Sequence, residues 1–290
     1  MVEHAFGGEW TEIKLRCLKE YLTKYRTIFT TNQKARYFRT WYVDAFAGTG
    51  SRSTGISPFS LEQSTEDPET NRYFDGSAKI ALGLPSPFNR YLFIEKSKAR
   101  CDELKEMIDN EHKALAARCE FRQEDANKAI RAWCAERDWR KDRAVVFLDP
   151  YGLQVEWSTI QKLAATKGVD LWYLFPLNMR RLLIQHGQID DAWQKRLDLL
   201  FGTHDWEARF YKPRIEEGLF GATETVERDA TVKNITEFIE GRLRTCFPAV
   251  AKGLVLTNTR SSPLYSLCFA ASNAKGAPIA LRIAQSILGD

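Results

Sequence analysis

The sequence predicts an α/β protein built on a mostly parallel, seven-stranded sheet, with a C-terminal antiparallel hairpin and a helical insertion. Short, wholly apolar segments alternate with segments of helical periodicity, as in the strand-helix units of parallel sheets. Two apolar runs near the C-terminus are separated by the turn-like Arg260-Ser261-Ser262-Pro263, which favours antiparallel pairing. With 290 residues, 44% of them hydrophobic, the chain can bury a large core.

The elements follow one another along the chain. Apolar residues at three- and four-residue steps predict an amphipathic helix from Thr11 to Phe29. Parallel strands are predicted at Tyr42–Phe46, Tyr91–Glu95, Cys119–Gln123, Ala144–Leu148 and Leu171–Phe175. Helices are predicted between them at Ser77–Leu82, Lys98–Leu115, Ala126–Ala135 and Ser158–Lys167. The hairpin comprises Leu254–Thr259 and Leu264–Ala271, and a helix over Ala277–Leu288 follows it.

Two segments do not fit this alternation of short strands and helices. The polar segment from Ser51 to Asp75 is a long loop directly after a glycine turn, which makes it a candidate lid over a ligand. The connection over residues 178–251 is too long for one crossover, and the apolar spacing around Trp193 and Ile235 predicts a helical insertion. This insertion is either a substrate-side subdomain or a structural cap over the sheet edge.

Composition excludes several classes of protein. The six cysteines and four histidines are scattered without metal-ligand spacing, so we expect neither a metal site nor a disulfide framework. Apolar runs fall far short of the roughly 18 residues of a membrane span, and the N-terminus has no secretory signal pattern. We therefore expect a cytoplasmic protein with no membrane partner.

A basic segment occupies residues 14–39, where eight lysines and arginines accompany the single acidic residue Glu20. The pattern is typical of a solvated helix face and equally of a surface that contacts nucleic-acid phosphates. The net charge of +4 permits a polyanionic partner without requiring one.

The strongest local motif is the apolar strand and glycine turn from Tyr42 to Gly50. Glycine allows the backbone to approach an adenosyl ligand at the carboxyl end of a first strand. We assign cofactor binding to Asp44, Phe46, Gly48 and Gly50 of this block. A dinucleotide fingerprint would need a third glycine, which is missing, so a nicotinamide cofactor is disfavoured.

Two acidic residues follow the next strands. Glu95 ends the second strand, where a carboxylate can accept hydrogen bonds from both ribose hydroxyls. The alternative is an ordinary acidic residue at a strand end that faces water. Asp125 follows the third strand, where it can recognise the adenine amino group, cap the next helix, or do both.

The fourth strand ends in Asp149-Pro150-Tyr151-Gly152. An Asp-Pro pair and an aromatic residue at this edge resemble the catalytic tetrapeptide of amino-group methyltransferases, in which they hold and stack on the target amine. The block departs from that pattern because Tyr-Gly stands where Pro-aromatic is usual. The alternative is a tight turn begun by Asp-Pro and relieved by Gly152. We assign acceptor positioning to Asp149, Pro150 and Tyr151.

These motifs together resemble the three-Cys-motif partner protein family. The match rests on the helix from Trp10 to Tyr25, on Val43–Gly50, Phe93–Glu95 and Phe147–Leu153, and on the C-terminal run Leu264–Ser272. The resemblance implies a Rossmann-like class I methyltransferase fold that uses S-adenosylmethionine. It also implies a separate partner, a protein that bears three cysteines and resembles radical-SAM enzymes.

The chain is accordingly divided into three parts. Residues 1–177 form the N-terminal helix and the Rossmann-like cofactor-binding core, 178–251 the helical insertion, and 252–290 the hairpin and helix that complete the core. The leading hypothesis is methyl transfer from S-adenosylmethionine, with an amino group on nucleic acid as the preferred acceptor. The alternatives are a non-catalytic adenosyl-binding or scaffold subunit that docks the partner, and a nicotinamide-dependent oxidoreductase.

Overall fold

The computed structural model describes residues 9–48, 75–183, 189–218 and 221–289. Its helices are α1 (Glu9–Thr31), α2 (Asp75–Leu82), α3 (Lys98–Glu111), α4 (Ala126–Glu136), α5 (Trp157–Ala165), α6 (Asp191–Phe201), α7 (Asp205–Phe210), α8 (Val232–Arg244) and α9 (Ala277–Leu288). Its strands are β1 (Arg39–Asp44), β2 (Arg90–Ile94), β3 (Cys119–Arg122), β4 (Asp142–Leu148), β5 (Val169–Pro176), β6 (Tyr211–Gly218), β7 (Gly221–Arg228), β8 (Ala249–Val250), β9 (Leu254–Thr257) and β10 (Pro263–Ala271).

The main sheet has the strand order β3-β2-β1-β4-β5-β10-β8, and β9 pairs with β10. Strands β1 to β5 are parallel to one another, whereas β10 is antiparallel to its neighbours β5, β8 and β9. The predicted α/β class, the parallel sheet and the C-terminal antiparallel hairpin are thus confirmed. The strand order reverses between β1 and β4, and ligands of such sheets bind at the carboxyl ends of the strands beside this point.

Both faces of the sheet are covered by helices, which explains why its strands are apolar throughout. On one face, side chains of α1, α2, α3 and α9 form a buried cluster with residues such as Tyr42 and Phe147. On the other face, α4 to α8 form a second cluster around Trp41 and Val146. Neighbouring strand residues therefore point into two different cores.

Helix α1 crosses one face of the sheet from the carboxyl ends of the strands to their amino ends. Near its start, Lys14 pairs with Asp149, which follows β4, at 2.6 Å between Nζ and Oδ2. In its middle, the hydroxyl of Tyr21 donates to Asp170 at the start of β5 (2.7 Å). Further on, Arg26 donates to Oγ1 of Thr40 in β1 (2.5 Å). Polar contacts thus fix the helix along its length, in addition to its apolar stripe.

The structure corrects part of the prediction that residues 178–251 form a helical insertion. Residues 178–251 contain α6, α7 and α8, but they also contain the antiparallel hairpin β6-β7 and the short strand β8. The prediction relied on apolar spacing in the flanking helices and overlooked the alternation of apolar with charged residues over 211–216. Strand β1 is also displaced, because the chain turns after Asp44 instead of continuing to Phe46.

Of the eight cations in the basic segment, Lys14 and Arg26 are buried, whereas the other six are partly or fully exposed, as on a solvated helix face. Five of its eight cations contact acceptors of the chain itself, through Asp149, Glu20, Thr40, Thr30 and Asp142. They are Lys14, Lys24, Arg26, Arg36 and Arg39. A surface for nucleic-acid phosphates has correspondingly fewer cations than the sequence suggested. Across the described ranges, no helix is both long and apolar enough to span a membrane.

Two carboxylates beneath the α1–α2 layer make the stability of the fold depend on pH. Burial raises the pKa of Asp44 and that of Asp170 to about 6, while an unfolded aspartate titrates near 4. Between these values the unfolded chain releases protons that the folded protein retains, so the contribution of these two groups to the free energy of unfolding decreases as pH rises from 4 to 7.

We predict that Asp170→Asn removes about 2 kcal/mol of this decrease, because the amide does not ionise and still accepts the Tyr21 hydrogen bond. Urea denaturation at pH 4.5 and 7.5 measures the effect, with exposed Asp109→Asn as the matched control. An unchanged difference between the two pH values in Asp170→Asn would contradict the prediction.

Candidate active site

The carboxyl ends of β1, β2 and β4 bring several of the predicted residues to one edge of the sheet. Gly48 follows β1, Glu95 follows β2, and Asp149 follows β4. Because β1 lies between β2 and β4 in the sheet, these positions are neighbours in space although they are far apart in the sequence. Gly50 and residues 51–74 of the candidate lid lie outside the described residues.

Glu95 packs directly against the glycine turn. A Cβ atom added to Gly48 would collide with Oε2 of Glu95 and with Cδ of Arg100, so an alanine here would displace these two side chains. The other carboxylate oxygen, Oε1, accepts from the backbone N–H of Ser97 at 2.7 Å. With 9% of its surface exposed, Glu95 is a held carboxylate at the mouth of the turn and not a strand-end acid facing water.

Arg100 is a site residue that the sequence analysis missed. It lies in the first turn of α3, where its Cδ is close to Gly48 and its guanidinium lies over the Tyr151 ring, 5.7 Å from the centroid. Arg100 therefore connects the glycine turn with the Asp149-Pro150-Tyr151 block. Nothing in the sequence distinguishes it from the other cations of α3, because its importance comes from where β4 ends.

Asp149 is paired with Lys14, which was also missed. Side-chain exposures of 5% for Lys14 and 13% for Asp149 make this a buried ion pair, and the Lys14 ammonium also lies over the Trp10 ring at 5.2 Å. A signal was present in the sequence, since Lys14 precedes Leu18 and Tyr21 at helical spacing and so shares their buried stripe. Lys14 holds the Asp149 carboxylate at the edge of the site.

Asp44 lies beneath the turn. Its Oδ2 accepts from Ser77 (2.6 Å) and Tyr42 (3.1 Å), and its Oδ1 accepts from the backbone N–H of Phe46 (3.4 Å). Burial, with a smaller contribution from the Asp149 charge, raises the pKa of Asp44 to about 6. Asp44 thus ties the turn to α2, while Phe46 is half-buried against the core formed by α4 to α8. Their assignment to cofactor binding stays a prediction.

Asp125 caps α4, and its side chain accepts from the backbone N–H of Lys128 at 3.1 Å. The capping interpretation is confirmed; its carboxylate is exposed, and the adenine role stays a prediction. Among the described contacts, none joins Asp125 to the residues around Gly48.

Asn127, two residues further on and missed from the sequence, orders the segment after β4. Its amide donates to the carbonyl of Gln154 (2.9 Å) and accepts from the Glu156 N–H (2.9 Å) and from the Thr159 hydroxyl (2.9 Å). Gly152 has a φ of +76°, so the tight turn predicted after Asp149-Pro150 is present. The turn at Gly152 and the three hydrogen bonds of Asn127 thus fix the segment that follows Tyr151.

Comparison with known proteins gives a distant structural likeness. No protein-family model matches the chain, and no curated protein sequence does. Similar solved structures include a spermidine synthase from Thermotoga maritima, with 8% identity, a TM-score of 0.40, and coverage of 97% of this chain and 75% of that one. Another comes from a Listeria monocytogenes protein titled a candidate S-adenosylmethionine-dependent methyltransferase (12% identity, TM-score 0.38, 81% and 91% coverage). A third is a Legionella pneumophila protein of family DUF519 (13% identity, TM-score 0.36, 84% and 94% coverage).

The chain has a Rossmann-like methyltransferase fold. The strand order of the sheet and the antiparallel β10 define this fold. Structural likenesses at these identities and TM-scores carry no conclusion about activity. Gly48, Glu95 and Asp149 lie at the carboxyl ends of the parallel strands of this fold.

We predict that Lys14 and Asp149 are energetically coupled. Lys14→Met leaves a buried carboxylate without its cation and should lower the free energy of unfolding by about 3 to 5 kcal/mol. The double variant Lys14→Met/Asp149→Asn should recover at least half of that loss, because neither charge remains.

Urea denaturation of the two single variants and the double variant measures this coupling. Lys24→Met is the matched control on the same helix, because the Lys24–Glu20 pair is exposed and its loss should change stability by less than about 1 kcal/mol. Additive effects of the two site substitutions would show that the pair is not coupled.

Proposed function

We propose that the carboxyl edge of the sheet binds S-adenosylmethionine and that the protein transfers a methyl group to an acceptor held by Asp149, Pro150 and Tyr151. The observation that carries this proposal is the contact between Gly48 and Glu95, in which a glycine turn and a held carboxylate meet at the ends of adjacent strands. An acidic residue at this place suits two ribose hydroxyls, and the bare glycine backbone admits the adenosyl group.

The residues present fit such a ligand. Glu95 would hold the ribose, Gly48 would line the cofactor, and Asp125 would contact the adenine. S-adenosylmethionine supplies an activated methyl group, so the chemistry requires alignment of the acceptor more than acid or base catalysis. Asp149 and the Pro150 carbonyl accept hydrogen bonds from the acceptor amine, and Tyr151 offers its ring for stacking. Lys14 keeps the Asp149 carboxylate in place for this role.

The acceptor and the partner are further parts of the proposal. Two features support an amino group on nucleic acid as the acceptor. One is the Asp149-Pro150-Tyr151 block, and the other is the set of exposed cations, of which Arg16, Lys19 and Lys34 belong to the N-terminal segment. The motif resemblance supports membership of the three-Cys-motif partner family and association with a three-cysteine protein that resembles radical-SAM enzymes. Neither of these two parts follows from the fold.

We predict that S-adenosylmethionine and S-adenosylhomocysteine raise the melting temperature by about 5 °C at 100 times their dissociation constants, and that NAD does not. Glu95→Gln removes the charge that binds the ribose, and Gly48→Ala displaces the Glu95 carboxylate, so both variants should lose the shift. Gly241→Ala is the matched control for the added methyl group, because no atom lies near a Cβ there.

A thermal-shift assay with the three ligands decides among the hypotheses. Shifts with the two adenosyl ligands that survive in Gly48→Ala would place the cofactor elsewhere. A shift with NAD alone would favour the oxidoreductase alternative. No shift with any ligand would contradict the cofactor proposal.

We predict that Asp149→Asn abolishes methyl transfer from labelled S-adenosylmethionine to the acceptor. The dissociation constant for S-adenosylmethionine, measured from the thermal shift, should change by less than about threefold, because in this proposal Asp149 contacts the acceptor and not the cofactor. Scintillation counting of nucleic-acid and protein fractions, with and without a cell extract, measures transfer. Cofactor binding without transfer by the wild-type chain in every fraction would favour the scaffold alternative, and full activity of Asp149→Asn would remove this residue from the mechanism.

A further inference from the structure

A cluster of three metal-ligating side chains lies on the insertion and includes none of the residues assigned to the candidate active site. Asp198 is in the last turns of α6, His204 immediately precedes α7, and Glu207 is in the first turn of α7. One potential ligand atom from each residue lies within 4.8 Å of the other two. We propose that these three side chains bind a divalent transition-metal cation.

The local sequence explains why these side chains converge. His204 and Glu207 are three residues apart at the start of a helix, so they project from the same face of α7. The α6–α7 turn then brings Asp198 against them, and the Nδ1 of His204 lies 2.9 Å from Oδ1 of Asp198. Ligand atoms this close reach metal-ligand distances of about 2.0 to 2.2 Å through small side-chain rotations.

Both carboxylates are held by neighbouring donors, as metal ligands usually are. The indole Nε1 of Trp206 donates to Oδ1 of Asp198 at 2.9 Å, and Trp206 itself is buried. The side-chain amide of Gln194 in α6 donates to Oε1 of Glu207 at 2.5 Å. Oδ1 of Asp198 is therefore shared between Trp206 and His204, and the hydrogen bonds from Trp206 and Gln194 restrict the rotation of the two carboxylates.

The donor set indicates the class of cation. Two carboxylates and one imidazole suit Zn²⁺, Co²⁺ or Mn²⁺, whereas Mg²⁺ and Ca²⁺ prefer oxygen ligands alone. The imidazole of His204 is largely exposed, so a cation can enter from solvent and keep water in its remaining positions. Bound there, it would link the end of α6 to the start of α7 and brace the chain that leads into the β6-β7 hairpin.

The sequence analysis expected no metal site, because it looked for closely spaced cysteines and histidines. The spacing Asp198-x5-His204-x2-Glu207 contains one histidine and two carboxylates, which are too common to be recognised in a sequence. This inference does not depend on the proposed function, since it involves no residue of the carboxyl edge.

The test uses the full chain, stripped of metal with a chelator and then dialysed. We expect Co²⁺ titration to produce visible ligand-field absorption that saturates at one ion per chain and is displaced by Zn²⁺. We also expect Zn²⁺ at 100 times its dissociation constant to raise the melting temperature by about 5 °C. His204→Ala and Glu207→Gln should weaken Zn²⁺ binding at least tenfold, and Gln194→Ala, which removes only the supporting donor, about tenfold.

His112→Ala is the matched control, because His112 follows α3 and lies far along the chain from the cluster. Circular dichroism of the metal-free variants verifies that they are folded, and exposed His204 is the substitution least expected to disturb the fold. Stoichiometric binding that is lost in His204→Ala and retained in His112→Ala would support the site. Absence of saturable binding by the wild-type chain, or equal binding by His204→Ala, would overturn the proposal.

Discussion

Burial of both faces of the central sheet is the constraint on which the rest of the structure depends. A parallel sheet with apolar residues on both sides must be covered on both sides, and α1 supplies part of one cover. Once α1 lies antiparallel to the strands, its start reaches the carboxyl edge and its later turns reach the amino edge. The polar residues of its buried stripe then find partners at both ends of the sheet, in Asp149 and Thr40. The same packing that completes the core therefore also delivers Lys14 to the candidate active site.

The carboxyl edge concentrates acidic groups, and each is stabilised differently. The Asp44 carboxylate accepts hydrogen bonds from hydroxyl groups and has a raised pKa, whereas the Asp149 carboxylate forms an ion pair with the Lys14 ammonium. Glu95 accepts a backbone N–H at the start of α3 and lies against Gly48. Arg100 adds a cation between the glycine turn and Tyr151. Asp149 therefore has an ammonium partner within the chain, whereas Glu95 has a backbone N–H on one of its two oxygens.

The insertion consists of three helices that pack on the sheet, which form its base, and of the β6-β7 hairpin, which extends from them. Helices α6, α7 and α8 contribute to the core on the second face of the sheet, through Leu200, Trp206 and Ile239 among others. The β6-β7 hairpin between them instead exposes Ile215 and Val226. Two strands alone are marginally stable in water, so the order of this hairpin depends on the helices at its base. The α6–α7 turn, where Asp198 and His204 meet, is part of that base.

The α/β class, the five parallel strands, the closing hairpin and the strand-end positions of Gly48, Glu95 and Asp149 could all be predicted from the sequence. These follow from local periodicity and from glycine and proline turns, which act over a few residues. Three contacts became apparent only in the folded chain: Lys14 pairs with Asp149, Arg100 reaches Tyr151, and Asn127 fixes the segment after β4. Those contacts join residues from different elements, so their energies depend on how the helices are placed over the sheet. A lysine on a helix has no local signature that separates an exposed cation from a buried partner of a distant carboxylate, because burial is decided by the packing of the whole chain.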